Sequence, residues 1–272
     1  MMNLEDALTD VLNLRPALDS ILVGAHGAHF LTGRRVRSRP KNSYRNLVTK
    51  YDQNAEKTIV GTLSARYPDV AVIAEEGRPK HCGGTAGWAW CIDPLDGTVN
   101  YAYGFPLFAV SVALLKLSAS SSEPMMGMVH LPYLRETFWA IRGRGSFLNG
   151  RRIRVGRTRR LREALLATGF PYTRNWAFRE NLRGFDRLLP HVRDFRRGGA
   201  AAVDLAFVSC GRLDGYFESG LNPWDVASGG LLVSESGGIV TDGSGGKDWL
   251  FGRRLVASNG HLHQRLLREL RS

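Results

Sequence analysis

At 272 residues and 43% hydrophobic, the chain can bury a large core in one or two domains, and 23% charged with 10% aromatic residues excludes a disordered chain. The formal charge of +12 is unusual, and 31 of the 37 basic residues are arginine. That balance favours anionic partners (phosphorylated small molecules, nucleic acid or an anionic membrane surface), although arginine used only for solubility gives the same composition. Three cysteines, Cys82, Cys91 and Cys210, lack metal-ligand spacing and predict free thiols in a reducing compartment. The acidic N-terminal stretch lacks the apolar run of a secretory signal, and no segment approaches the roughly 20 apolar residues of a membrane span. A cytoplasmic protein with no membrane partner is expected.

In chain order, Leu4, Leu8 and Val11, then Leu18, Ile21 and Leu22, recur at helical spacing, with Pro16 suited to a first turn. Residues 31–46 combine Gly, Pro, Ser, Asn and many bases, which predicts an exposed loop. A helix follows from Asp52 to Arg66, then two buried strands, "VAVIAEE" and "GWAWCID", each ending in acids. From Leu107 to Arg142 the pattern becomes a strand meander, with a hairpin loop at the serine run 118–122 and a two-residue turn at Asn149-Gly150. The second half alternates strands with helices, among them "AFRENLRGFDRLL", "AAAVDLAFVSCG" and "PWDVASGGLLVSES". Without internal repeats, this pattern predicts a layered α/β or α+β architecture over 1–272, with subdomains of roughly 1–150 and 151–272 meeting at a cleft.

The chemistry concentrates in "WCIDPLDGTVNYAYGFP", residues 90–106. Asp93 and Asp96 bracket Pro94-Leu95, and Pro94 stiffens the turn so that both carboxylates can aim to one side. Like charges that close are unfavourable unless a cation sits between them. With Glu75 and Asp225 also at element ends, the donors are hard oxygens that suit Mg²⁺ or Mn²⁺ rather than zinc. The Leu95 carbonyl is a further candidate ligand, and Gly97 with Thr98 would seat a phosphate at a helix start. Duller explanations fit each piece alone. "DPLDG" makes a good solvated turn, Glu75 and Glu76 suit a surface, and Asn222 with Pro223 would open a helix in which Asp225 is an ordinary first-turn acid. His26, His29, His81, His130 and His191 suggest surface or satisfied core positions. Asp204, inside an apolar helix, is expected to make a structural hydrogen bond.

Together these stretches resemble the inositol monophosphatase family of metal-dependent, lithium-sensitive phosphatases. "WCIDPLDGTVNYAYGFP" is similar to its first signature, and "PWDVASGGLLVSESGG" to its second, with Ser236 where alanine is usual. The resemblance runs from about Pro16 to the C-terminus and leaves residues 1–15 without a role. It implies a five-layer α-β-α-β-α sandwich, usually a homodimer. It also implies that Glu75, Asp93, the Leu95 carbonyl, Asp96 and Asp225 hold two or three Mg²⁺ ions, with Mn²⁺ as a substitute. Thr98 and Asp52 would, with Glu75, orient and activate a water held at the metal, and Gly97 and Thr98 would bind the phosphate. Gly199, Ala200, Ala201, Glu218 and Asp225 would line the pocket for substrate hydroxyls, and Lys41 matches a lysine that reaches the site when its loop closes.

The expected activity is hydrolysis of inositol 1-phosphate or a similar small phosphorylated polyol. Fructose 1,6-bisphosphate and histidinol phosphate are the nearest rivals. Adenosine 3′,5′-bisphosphate ranks last, because little sequence separates Glu75 from Asp93 for the insertions nucleotide phosphatases carry there. Nucleic-acid binding through "RRIRVGRTRRLR", residues 151–162, is the less favoured alternative, since the chain lacks an aromatic-and-basic module that reads bases.

Overall fold

The computed structural model describes residues 2–24, 30, 35–44, 46–77, 87–118 and 122–271. Two short helices, α1 (Leu4–Leu12) and α2 (Arg15–Leu22), open the chain and bury Ala7, Leu8, Val11, Leu18 and Leu22, as the spacing predicts. Asn3 caps α1 by accepting from Glu5 N and Asp6 N. The stretch 1–15 thus acquires a structural role: Ala7 and Val11 share a core with Met126 and Met128 of the main sheet.

Within the predicted loop at 31–46, the described residues include strand-forming ones. Strand β1 (Ser38–Ser43) pairs antiparallel with β2 (Asn46–Thr49). Among the described residues both strands pair only with each other, so no apolar alternation marks them in the sequence. Helix α3 (Lys50–Arg66) follows, opened by a capping box in which Thr49 and Asp52 satisfy each other's backbone donors.

Seven strands then form one sheet in sequence order: β3 (Ala71–Ala74), β4 (Trp88–Asp96), β5 (Ala109–Leu117), β6 (Ser122–Leu131), β7 (Glu136–Ile141), β8 (Gly145–Leu148) and β9 (Arg151–Ile153). Only β3 and β4 run parallel. The predicted turn at Asn149-Gly150 is present, with both residues at positive φ. Most of the serine loop lies outside the described residues. The register between β4 and β5 slips between Asp93 and Asp96, because Pro94 has no N–H to give to the ladder. A five-residue helix, α4 (Thr98–Ala102), begins directly after this bulge.

The second sheet has the order β11-β10-β12-β14-β13, formed by β10 (Leu165–Thr168), β11 (Asp194–Arg196), β12 (Gly215–Ser219), β13 (Ile239–Thr241) and β14 (Arg254–Ser258). Strand β11 was not expected: three residues on a sheet edge carry no periodic signal. The remaining helices are α5 (Trp176–Leu188), α6 (Ala201–Ser209), α7 (Pro223–Glu235) and α8 (His263–Arg271).

Helices α1 to α3 cover one face of the seven-stranded sheet, while α6 and α7 lie between the two sheets. Helices α5 and α8 cover the far face of the five-stranded sheet. The result is the expected α-β-α-β-α sandwich. Its central helices are apolar on nearly every side because sheets flank both of their faces: all of α6 except Phe207 is buried.

Candidate active site

Four backbone N–H groups on four different elements aim the acids. Asp93 Oδ1 accepts from Leu95 N at 3.0 Å across the bulge. Asp96 Oδ2 accepts from Ala202 N at 2.7 Å, which ties the end of β4 to the first turn of α6. Asp225 Oδ2 accepts from Asn222 N at 2.7 Å in a second capping box, at the start of α7. Asp52 Oδ2 accepts from Thr49 N at 2.8 Å and Thr49 Oγ1 at 2.6 Å. Its other oxygen accepts from Thr98 Oγ1 at 2.8 Å, and the same hydroxyl lies 3.1 Å from the Leu95 carbonyl.

A cavity of about 320 Å³ opens where the ends of β4 and β12 meet α4, α6 and α7. The sequence-predicted metal residues Glu75, Asp93, Leu95, Asp96 and Asp225 all line it. So do Gly97, Thr98, Gly199, Ala200, Ala201 and Glu218, leaving only Asp52 behind Thr98. Gly97 has φ of +89°, and a Cβ there would come within 3.0 Å of the Leu107 carbonyl, so a side chain would close the approach to α4.

The electrostatics are those of crowded, buried acids. Burial first, then the charges of Glu75, Asp96 and Asp225, holds the Asp93 carboxyl well above the ordinary carboxylate range. Burial and Asp225 do the same to Asp96, and burial with Glu75 pushes Asp225 up to about 8. Burial raises Asp52 as well, against the hydrogen bonds from Thr49 and Thr98. Among the described residues, no three Asp, Glu, His or Cys side chains converge on one point as a finished ligand shell. Among the described residues, Lys41 is brought into the acids at the end of β3, with its Nζ 2.7 Å from Glu75 Oε1 and also in contact with Glu76. These two carboxylates outweigh its burial and raise the lysine's pKa. Glu75 and Glu76 are therefore half-buried partners of β1 rather than solvated surface acids.

Of the other sequence expectations, His130 is a satisfied core residue between Thr137 Oγ1 and Asp19 Oδ1. His26, His29, His81 and Cys82 lie outside the described residues, while Cys91 and Cys210 are free thiols. Asp204 is corrected: its carboxylate makes no hydrogen bond among the described residues and lines the cavity instead. Burial and the nearby charge of Glu218 hold its carboxyl well above the usual range. Sequence reasoning also missed Arg197, Tyr172, Tyr216 and Arg253 on the cavity wall. Only the double glycine after Arg197 offered a signal.

Fold and site define a five-layer α/β protein with an acidic pocket between two sheets, whose candidate metal ligands are all oxygens. The inositol monophosphatase family model matches residues 20–272, and the chain belongs to that family. It is 38% identical over 262 residues to an inositol-1-monophosphatase of Synechocystis sp., covering 94% of this chain and 88% of that one. It is 39% identical over 262 residues to the Nus factor SuhB of Pseudomonas aeruginosa, covering 93% and 95%. The crystal structure of the extragenic suppressor protein suhB from Bartonella henselae superposes with a TM-score of 0.87 at 33% identity, covering 98% of this chain and 99% of that one.

Proposed function

We propose that the protein is a Mg²⁺-dependent phosphate monoester hydrolase acting on inositol 1-phosphate or a similar small phosphorylated polyol. The observation that carries this reading is the meeting, in one cavity, of Thr98 backed by Asp52, a cluster of acids and Glu218. The donor set fits a hard divalent cation: carboxylates and a carbonyl, with no sulfur or imidazole, whose mutual repulsion a cation would relieve. Held by Glu75, Asp93, the Leu95 carbonyl, Asp96 and Asp225, two or three Mg²⁺ ions (or Mn²⁺) would neutralise the ester and the leaving alkoxide.

The chain's own groups do the rest. Thr98 directs its proton to Asp52, so a hydroxyl lone pair is left to accept a hydrogen bond from the attacking water. Glu75, which also lines the cavity, completes the orientation of that water. The N–H groups of Gly97 and Thr98 receive the phosphate, while Gly199, Ala200, Ala201, Glu218 and Asp225 face the alcohol. Lithium inhibition, a homodimer and a cytoplasmic setting belong to the same reading. Among the described residues no helix is long and apolar enough to cross a membrane.

A panel of phosphate esters, read by released phosphate with Mg²⁺ and again with chelator, tests the proposal. Inositol 1-phosphate is expected to lead, with activity lost on chelation and restored by Mg²⁺; full activity without metal overturns it.

A second reading has a specific observation behind it. Arg151, Arg152, Arg154, Arg157, Arg159, Arg160 and Arg162 are all exposed along one edge, and several relatives are named Nus factor SuhB. RNA retained at physiological ionic strength, and released on changing Arg157, Arg159 and Arg160, would support a nucleic-acid role beside or instead of hydrolysis.

A further inference from the structure

Asp204 stands in a helical run otherwise built from Ala, Val, Leu, Phe and Ser. Its side chain is only 4% exposed, and among the described residues nothing donates a hydrogen bond to it. A helical Cβ tilts toward the N-terminus, so the carboxylate leans back over Gly198 and faces the cavity. A Cβ on Gly198 would lie 2.5 Å from Asp204 Oδ1, so the absence of a side chain there is what admits the carboxylate. Glu218 is accommodated in the same way by another loop: a Cβ on Gly169 would overlap its carboxylate. The buried Tyr216 hydroxyl donates to Glu218 Oε2 and fixes that side chain. Glu218 is the charged group acting most strongly on Asp204, and Arg197 is the cation acting on both.

An acceptor that faces a cavity and has no donor from the protein is satisfied by water or by donors on a ligand that displaces it. We infer that Asp204 and Glu218 form a paired acceptor for adjacent hydroxyls on the alcohol half of the substrate, which selects monophosphates of neutral polyols. This rests on the phosphatase reading and narrows it. Beside Asp204 and Glu218, where Arg197 is the cation acting on both, a second phosphoryl group on the alcohol would meet two carboxylates and be disfavoured. Asp204 thereby acts in specificity and not in the chemical step.

The test compares wild type with Asp204→Ala and Asp204→Asn on inositol 1-phosphate, fructose 1,6-bisphosphate and p-nitrophenyl phosphate. Binding of inositol 1-phosphate is measured by calorimetry on the slow Thr98→Ala background, with and without Asp204→Ala. The kcat/KM ratio of inositol 1-phosphate to p-nitrophenyl phosphate should fall about tenfold in Asp204→Ala, mainly through KM, and binding should weaken about as much. Asp204→Asn, which keeps one acceptor oxygen and the shape, should fall between and should gain relative activity on the bisphosphate. Equal losses on all esters, or unchanged binding, overturn the inference while leaving the phosphatase reading intact. Asp204-dependent binding in a protein that hydrolyses none of the esters supports the inference and overturns the phosphatase reading. Neither binding nor hydrolysis overturns both.

Discussion

The Thr98 hydroxyl donates to Asp52 at 2.8 Å across 46 positions of sequence, and the same carboxylate closes the capping box of the helix it belongs to. Asp52 therefore holds a helix start with one oxygen and the Thr98 hydroxyl with the other. The two duties separate by mutation. Thr98→Ala should lower kcat by about 10²-fold or more with little change in Tm. Asp52→Asn should lower kcat too, and cost about 1–2 kcal/mol of stability through the weakened cap. Kinetics and thermal melts on the same two preparations check this; equal Tm losses would contradict it.

Asp96 is anchored by Ala202 N, and an asparagine side-chain oxygen can still accept that bond. Asp96→Asn should consequently fold as wild type, bind Mg²⁺ more weakly in a calorimetric titration, and lose about 10²-fold or more in kcat at saturating Mg²⁺. Retention of more than about a tenth of the activity would remove Asp96 from the metal site.

Burial pushes Glu218 from its usual 4.5 up to about 7, against the hydrogen bond from Tyr216. A carboxyl raised on folding contributes stability that is present below its unfolded value and declines as pH rises through the folded one. In chelated protein, urea unfolding should show stability falling between about pH 4.5 and 7, with a shallower fall in Glu218→Gln. Parallel curves for the two proteins would refute the assignment.

At the opposite end of the sandwich, burial lowers His263 from 6.5 to about 4, where Thr241 Oγ1 and Ser258 Oγ meet its two ring nitrogens. A depressed histidine contributes stability present above its unfolded value and lost as pH falls toward the folded one. Acid unfolding between about pH 6.5 and 4 should flatten in His263→Asn, with phosphatase turnover at neutral pH changed little. An unchanged acid limb would assign that loss to other groups.

The sandwich was legible because long periodic runs carry it. The strands of the meander and the largely apolar helices α6 and α7 announce burial on both sides. The acids at element ends were legible from "DPLDG" and "NPWD", where proline fixes the local backbone. Strands β1 and β11 were not, since an edge pair of arginine- and serine-bearing residues lacks an apolar face to repeat. Asp204 was read as structural because a polar residue in an apolar helix usually finds a partner in the same core. What reversed it was Gly198, whose missing side chain turns the carboxylate toward open space.

Asp52, Asp93, Asp96 and Asp225 each accept a backbone N–H, from Thr49, Leu95, Ala202 and Asn222. A descendant that had abandoned catalysis would still need an acceptor at those four positions to hold two helix starts, a bulge and a sheet-to-helix tie. Their presence alone would then be a poor witness to activity in any relative. Glu75, Glu218 and Asp204 stand outside that scaffold: a lysine, a tyrosine hydroxyl and, for Asp204, nothing among the described residues engage them. Idle copies of this fold should drift first at these three positions, and that is where a working enzyme can be told from its retired kin.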